Sequence, residues 1–173
     1  LPYIDVSNTS IYGRDLYLYN RQEPTVWGAQ EEFVSAQHLD DMQCAYASLK
    51  GFLEGQQEKS VNVYACFDNE EVGSGTKQGA GSTFLYDVLR RLNMGLGKTE
   101  EDYYRAVAGS FLLSADNAHA VHPNHPEKTD VENCVYMNEG IVIKSHAGQK
   151  YTSDAVSIAM FREICEKADV PVQ

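Results

Sequence analysis

The apolar residues of this chain are spaced in two different ways. In residues 41–53 they recur every three or four positions, as on one face of a helix. The same spacing occurs in residues 79–94 and 153–168, and Thr99 precedes a short fourth helical segment as its N-cap. These patterns predict four helices.

Compact apolar runs without helical spacing predict strands. Residues 61–67 and 109–115 are short and mostly apolar, which is typical of strands buried in a parallel sheet. Residues 15–20 and 141–144 are further strand candidates, and short extended pieces flank a turn in residues 26–36. The order of strands and helices predicts an α/β domain, with helices layered on both sides of a mostly parallel central sheet.

An acidic run, Asp-Asn-Glu-Glu in residues 68–71, directly follows the predicted strand 61–67. Carboxylates crowded at a strand end repel one another unless a cation or a basic partner compensates. A divalent metal would do so, and the adjacent Glu70 and Glu71 suit a metallohydrolase in which one carboxylate binds the metal and the other handles protons. The alternative interpretation is a solvated acidic turn.

Residues elsewhere in the chain could complete a metal site. Asp116 follows the predicted strand 109–115, and reactive groups in parallel sheets lie beyond the carboxyl ends of strands. Asp40 lies at the start of the first predicted helix, where it is either an N-cap or a ligand. His119, His122 and His125 have the spacing His-x-x-His-x-x-His, which either supplies metal ligands or orients substrate and backbone.

Composition excludes several classes of partner. A net charge of −11 over 173 residues argues against nucleic acid or an anionic membrane as the main partner. No apolar run approaches the roughly 20 residues of a membrane span. The four cysteines form no Cys-x-x-Cys pair, which argues against a thiolate zinc site. Cys44 and Cys66 lie in apolar patterns and are predicted to be core residues of a protein in a reducing, cytoplasmic compartment.

Two long motifs resemble those of a known peptidase family. Residues 68–74, followed by Gln-Gly-Ala in residues 78–80, and residues 114–124 resemble two signatures of the aspartyl aminopeptidase and aminopeptidase I family of dizinc metallopeptidases. His-Leu-Asp-Asp in residues 38–41 is similar to that family's Arg-Leu-Asp-Asn element. The order and spacing agree from about residue 15 to the end of the chain.

The resemblance implies four roles in the metal chemistry. Asp40 matches the aspartate that bridges both zinc ions. Glu71 matches a ligand of one zinc ion, and Asp116 matches a ligand of the other. Glu70 matches the general base, which fits a glutamate that lies next to a ligand without binding metal itself.

Three more residues match positions near the family's substrate. Lys144 matches a basic residue close to an acidic side chain or terminus of the substrate, while its alternative is a solvated lysine at a strand end. His119 and His122 match histidines that lie near the site without being primary ligands. We therefore predict these three residues to be substrate-binding.

The family resemblance also implies the overall function and assembly. It predicts a metal-dependent aminopeptidase that hydrolyses N-terminal residues, acidic ones among them, from peptides by means of a water activated by two Zn²⁺ ions or other divalent metals. The implied fold is the layered zinc-peptidase fold of the phosphorylase/hydrolase-like type. Self-association into a large homo-oligomer, a dodecamer, is expected. The alternatives are a related dizinc carboxypeptidase or deacylase, and a non-catalytic scaffold or assembly protein.

Some elements of the family pattern are absent or altered. Two histidine ligands, from a His-x-Asp element and a Met-His-Ser context, have no counterpart in the sequence. The chain is therefore expected to be an inactive internal fragment, with residues 1–14 the tail of an inserted lid and oligomerisation domain and residues 15–173 part of the catalytic domain. His38, Asp41 and Cys134 stand where the family carries other residues. Because of these differences, the preferred N-terminal residue of the substrate is either acidic or neutral.

Overall fold

The computed structural model describes residues 10–56 and 59–173, and these form four α-helices, two short strands and one 3₁₀ turn. The helices are α1 (Leu39–Glu54), α2 (Phe84–Gly95), α3 (Glu100–Ala108) and α4 (Ala155–Lys167). The strands are β1 (Thr25–Trp27) and β2 (Phe33–Ser35), and the 3₁₀ turn is Pro126–Lys128. The contacts divide the chain into two units, residues 1–42 and 43–173. None of the helices in the described residues is both long and apolar enough to cross a membrane.

A two-stranded hairpin is the regular structure of the first unit before α1. Strands β1 and β2 are antiparallel, and Trp27 lies opposite Phe33. The two rings stack with centroids 4.7 Å apart, and the Trp27 indole N–H donates to Ser35 Oγ at 2.7 Å. The short extended pieces predicted in residues 26–36 are therefore confirmed.

Helix α1 has an irregular first turn. The dihedral angles of Asp40 (φ −88°, ψ 112°) and Asp41 (φ −113°, ψ 17°) are not helical, and the peptide bond between them is cis. The N–H of Met42 donates to the carbonyl of His38 at 3.1 Å. Asp40 therefore precedes the regular part of the helix, close to its predicted position.

Capping boxes begin α3 and α4. Thr99 Oγ1 accepts a hydrogen bond from the Asp102 N–H at 3.2 Å, while the Asp102 carboxylate accepts from the Thr99 N–H at 3.0 Å. Asp154 and Ser157 make the same reciprocal pair at the start of α4, with both bonds at 2.8 Å. These bonds satisfy N–H groups that a helix start otherwise leaves without a partner. The prediction of Thr99 as an N-cap is confirmed.

Helices α2 and α3 pack through aromatic and charged side chains. Tyr103 is only 8% exposed, and the ring of Tyr86 meets it edge-on with centroids 5.8 Å apart. Arg90 binds Glu100 at 2.5 Å, and the Asn93 side chain donates to the Thr99 carbonyl at 2.7 Å. The two helices are thus joined by a cluster of directional contacts.

The predicted strands are largely wrong for the described chain. Residues 15–20, 61–67 and 109–115 are not strands, and residues 141–144 contribute a single parallel bridge between Ile141 and Val172. A strand requires a hydrogen-bonded partner strand, and none pairs with these runs in the described residues. Most of their side chains are exposed, with Leu112 at 71% exposure, while Tyr64, Ala65 and Phe67 are half-buried. The layered parallel sheet is therefore not present in the described residues.

Two further expectations need correction. Helix α2 begins at Phe84, later than the predicted residue 79, because residues 79–82 belong to a loop whose amides bond back to residues 74–79. Cys66 is exposed rather than a core residue, because its run lacks a partner strand, whereas Cys165 is buried in α4.

Acidification is expected to loosen the first turns of α3 and α4. The pKa of Asp102 is lowered because the Thr99 hydroxyl and N–H donate to its carboxylate, and the pKa of Asp154 is lowered because the Ser157 N–H and hydroxyl do the same. A lowered pKa stabilises the folded state above the unfolded-state pKa of about 4, and this contribution is lost as the pH falls through the folded-state pKa.

We expect NMR shifts of the first-turn amides to move towards unfolded values below about pH 4, where carboxylates become protonated. Asp102→Asn should abolish this transition in α3 and leave it intact in α4. An unchanged transition in α3 would show that the cap is not its cause.

Candidate functional site

The acidic run lies in a closed loop, residues 68–82, which we call the acid loop. It follows the apolar run 61–67 directly, as the sequence predicts. Backbone hydrogen bonds cross it at several levels, so that its shape does not depend on a sheet. They join the Asp68 N–H to Gln78 O at 3.1 Å, Gly73 N–H to Glu70 O at 2.8 Å, Ser74 N–H to Asn69 O at 3.1 Å and Gly81 N–H to Ser74 O at 3.0 Å.

Left-handed backbone conformations bracket the two glutamates. Asn69 has φ 59°, Gly73 has φ 93° and Ser74 has φ 61°. Asparagine and glycine adopt this region more readily than most residues. The Asn69 side chain also donates to Thr76 Oγ1 at 3.0 Å, which ties the start of the acid loop to its middle. The backbone on both sides of Glu70 and Glu71 is thereby fixed.

Gly79 allows the acid loop to close. This buried residue lies against Ser74, so that a Cβ at position 79 would overlap the Ser74 carbonyl oxygen and lie 2.6 Å from its carbonyl carbon. Gly75, in the same loop, would place a Cβ no closer than 3.9 Å to another atom. The restriction to glycine at position 79 is therefore steric and local.

Glu70 and Glu71 are both exposed to solvent. Water screens exposed charges. The repulsion between the carboxylates of the acidic run is therefore weaker than it would be at the end of a buried strand, where the sequence pattern predicts them. Neither glutamate belongs to a group of three or more potential metal ligands among the residues that the structure describes. Their roles as base and zinc ligand remain predictions.

Asp116 and Lys144 form an ion pair. Lys144 Nζ lies 2.5 Å from Asp116 Oδ2, and it also donates to the Asn117 carbonyl at 2.7 Å. The Lys144 side chain is 25% exposed and that of Asp116 is 40% exposed. Lys144 Nζ lies 5.9 Å from the centre of the Tyr151 ring, within the range of a cation–π contact. A predicted metal ligand and a predicted substrate-binding residue are thus brought into direct contact.

Sequence patterns missed the residue beside Asp116. Asn117 Oδ1 accepts a hydrogen bond from Cys44 Sγ at 2.8 Å, and its Nδ2 donates to Gln43 Oε1 at 3.2 Å. Both partners belong to α1, more than 70 positions away in the chain. The only signal in the sequence is the place of Asn117 in the motif around Asp116.

The predicted histidines lie in the loop before and around the 3₁₀ turn. His119 and His122 are exposed. His122 Nδ1 accepts from the Asn124 N–H at 3.1 Å, and the His122 and His125 rings have centroids 5.2 Å apart. His125 Nδ1 lies 3.1 Å from Glu127 Oε1. His122 and His125 therefore take part in loop contacts, and a role of His119 and His122 towards substrate stays a prediction.

The sequence of the chain matches one known protein family. The family described as "Aminopeptidase I zinc metalloprotease (M18)" matches residues 3–173. The chain belongs to family M18. The expectation drawn from the two motifs is thereby confirmed.

Individual M18 proteins support the assignment. The chain is 47% identical over 170 residues to "Probable M18 family aminopeptidase 2" of Clostridium novyi, covering 98% of this chain and 39% of that protein. It is 36% identical over 165 residues to "Aspartyl aminopeptidase" of Caenorhabditis elegans, covering 92% of this chain and 35% of that protein. The structure of the S. cerevisiae mApe1 dodecamer superposes with a TM-score of 0.70 at 29% identity, covering 88% of this chain and 36% of that one. The chain thus spans well under half the length of these M18 relatives, and it shares their α/β peptidase fold.

Gly79→Ala is expected to open the acid loop. The added methyl group overlaps the Ser74 carbonyl, and overpacking of this kind costs about 1–3 kcal/mol. Amide hydrogen exchange of Gly81, whose N–H donates to Ser74 O, should accelerate accordingly. Gly75→Ala is the matched control and should leave exchange at Gly81 near its original rate. Equal effects of the two substitutions would contradict the steric explanation.

Proposed function

We propose that the intact protein to which this chain belongs is a metal-dependent aminopeptidase that removes N-terminal residues from peptides. The observation that carries the proposal is the match to a zinc aminopeptidase family over residues 3–173. The chain corresponds to 39% of the Clostridium novyi relative, so the activity is proposed for the whole protein. The two M18 motifs of the sequence carry Glu70, Glu71 and Asp116, and the His-Leu-Asp-Asp element in residues 38–41 carries Asp40.

The proposed metal ligands are Asp40, Glu71 and Asp116, which together would serve two zinc ions. Carboxylate oxygens are common zinc ligands, so the donor set fits such a metal. Asp116 supports this assignment because its carboxylate already binds one cationic group, Lys144 Nζ, through a single oxygen. When bound, zinc would polarise the peptide carbonyl and lower the pKa of the attacking water.

Glu70 is the proposed general base. Its carboxylate would accept a proton from the attacking water and pass it to the amine that leaves the cleaved peptide bond. The closed acid loop supports this role, because a base must be held within hydrogen-bonding reach of the proton it moves. Glu71, its neighbour, would hold metal rather than protons.

Lys144, His119 and His122 are the proposed substrate-binding residues. An ammonium group near the substrate would favour an acidic N-terminal residue, as the name of the Caenorhabditis elegans relative indicates for that protein. In this chain the Lys144 ammonium group already donates to Asp116 and Asn117. A substrate carboxylate would therefore compete with these two residues for the hydrogen-bond donors of Lys144. Neutral N-terminal residues therefore remain within the proposed specificity.

The wider architecture is proposed by analogy with the family. Residues 15–173 would form part of a layered α/β/α catalytic domain with a parallel sheet, and residues 1–14 the end of an inserted lid and oligomerisation domain. Residues 1–9 of that segment lie outside the described residues. Assembly into a dodecamer is proposed from the dodecameric yeast relative. A cytoplasmic location is proposed because the four cysteines are free thiols.

Replacement of the base should strongly reduce turnover in the intact protein. Glu70→Gln keeps the shape of the side chain but cannot accept the proton, so kcat should fall by about 10²–10⁴-fold. Hydrolysis of aspartyl, glutamyl and leucyl substrates, with and without a chelator, measures this. Glu101→Gln, an exposed glutamate in the first turn of α3, is the control and should keep full activity. Full activity of Glu70→Gln would remove the proposed base, and no chelator-sensitive hydrolysis by the unaltered protein would favour a scaffold.

The 173-residue chain by itself is expected to be inactive. Its proposed ligands are carboxylates only, and the two family histidines have no counterpart in the sequence. Zinc sites of peptidases combine carboxylates with imidazoles, so we expect weak zinc binding and no chelator-sensitive turnover. A peptidase assay of the purified chain with added zinc tests this expectation, and measurable turnover would contradict it.

A further inference from the structure

The segment that carries Asp116 lacks regular secondary structure. Residues 110–122 form neither helix nor strand in the structure, and Asp116 itself is exposed. A metal ligand in such a segment cannot rely on a helix or on a sheet ladder for its position. Contacts from side chains must therefore fix the backbone at this point.

Asn117 makes these contacts with both ends of its amide. Its Oδ1 accepts from Cys44 Sγ at 2.8 Å and its Nδ2 donates to Gln43 Oε1 at 3.2 Å. An amide used at both ends is fixed in rotation as well as in position. Because Gln43 and Cys44 are adjacent residues of a regular helix, Asn117 is attached to a rigid element.

The backbone of the same residue holds the partner of Asp116. The Asn117 carbonyl accepts from Lys144 Nζ at 2.7 Å, and Lys144 Nζ binds Asp116 Oδ2 at 2.5 Å. The Lys144 ammonium therefore bridges the side chain of one residue and the carbonyl of the next. Any rotation of Asn117 would move both the carboxylate and its cationic partner.

We propose that Asn117 is a positioning residue, which fixes the Asp116 carboxylate and Lys144 relative to α1 for metal binding. The inference rests on the proposed function in assigning Asp116 to the metal. It goes further by naming a residue that binds neither metal nor substrate. Replacing a residue that orients a metal ligand through hydrogen bonds typically lowers metal affinity by about 10–100-fold.

Asn117→Ala in the intact protein tests the proposal. Zinc affinity, measured by competition with a chelating dye, should fall by about tenfold or more, as is typical when a residue that orients a metal ligand is replaced. At saturating zinc, kcat should fall and KM for an aspartyl substrate should rise, because the metal ligand Asp116 and the substrate-binding residue Lys144 are displaced together. Hydrogen exchange should accelerate in peptides covering residues 112–119 and 43–47.

Asn93→Ala is the matched control. The Asn93 amide donates to the Thr99 carbonyl at 2.7 Å, which is a structural contact between α2 and α3 away from Asp116. It should lower the melting temperature and leave zinc affinity unchanged. If Asn117→Ala behaves in the same way, with lower melting temperature but normal zinc affinity, Asn117 is merely structural and the proposal is wrong.

A second pair of variants keeps the test independent of folding defects. Cys44→Ala removes the donor to Asn117 Oδ1, whereas Cys44→Ser retains a hydroxyl donor of similar size. Zinc affinity should be lower for Cys44→Ala and recover in Cys44→Ser. Equal affinities for the two variants would contradict the role of this hydrogen bond.

The unaltered protein separates this proposal from the proposed function. If it neither binds zinc nor hydrolyses peptides, the aminopeptidase proposal fails, and hydrogen exchange alone then decides whether Asn117 holds the segment against α1. Unchanged exchange in Asn117→Ala would overturn the positioning role in either case. Normal zinc binding by the unaltered protein together with weak binding by Asn117→Ala supports both proposals.

Discussion

Only two hydrophobic side chains in the described residues, Tyr103 and Cys165, are buried, so short-range hydrogen bonds carry most of the local order. The capping boxes of α3 and α4 and the crossed backbone of the acid loop are all made between residues close in sequence. Such bonds specify local shape without a large apolar core, since each satisfies a polar group that the backbone already carries. The acid loop, which carries Glu70 and Glu71, depends on this kind of contact, whereas Asp116 is held by contacts between residues distant in the chain.

Local sequence signals therefore predicted well what is local in the structure. Helical spacing identified α1, α2 and α4, and the N-cap pattern at Thr99 identified α3. The strands could not be predicted in the same way, because apolar runs such as residues 61–67 become strands only through partners distant in the chain. The apolar composition of a segment indicates that it can be buried. Whether the segment forms a strand depends on backbone pairing with another segment.

The same distinction between local and long-range contacts applies to the candidate site. The motifs around Glu70, Glu71 and Asp116 could be recognised from the sequence because each is continuous, and membership of M18 is consistent with them. The contact between Asn117 and Cys44 joins residues 73 positions apart, and no local pattern encodes it. The ion pair between Asp116 and Lys144 was likewise beyond prediction, since each residue had been assigned a separate role.

The steric fit of Gly79 against Ser74 has a consequence for recognising related proteins. An Asp-x-Glu-Glu run alone is a weak signature, since acidic turns are common on protein surfaces. The closed loop, however, also needs a residue without a side chain eight positions after Glu71. A search that requires both features would select chains able to adopt this loop geometry and would reject acidic turns that merely share its composition.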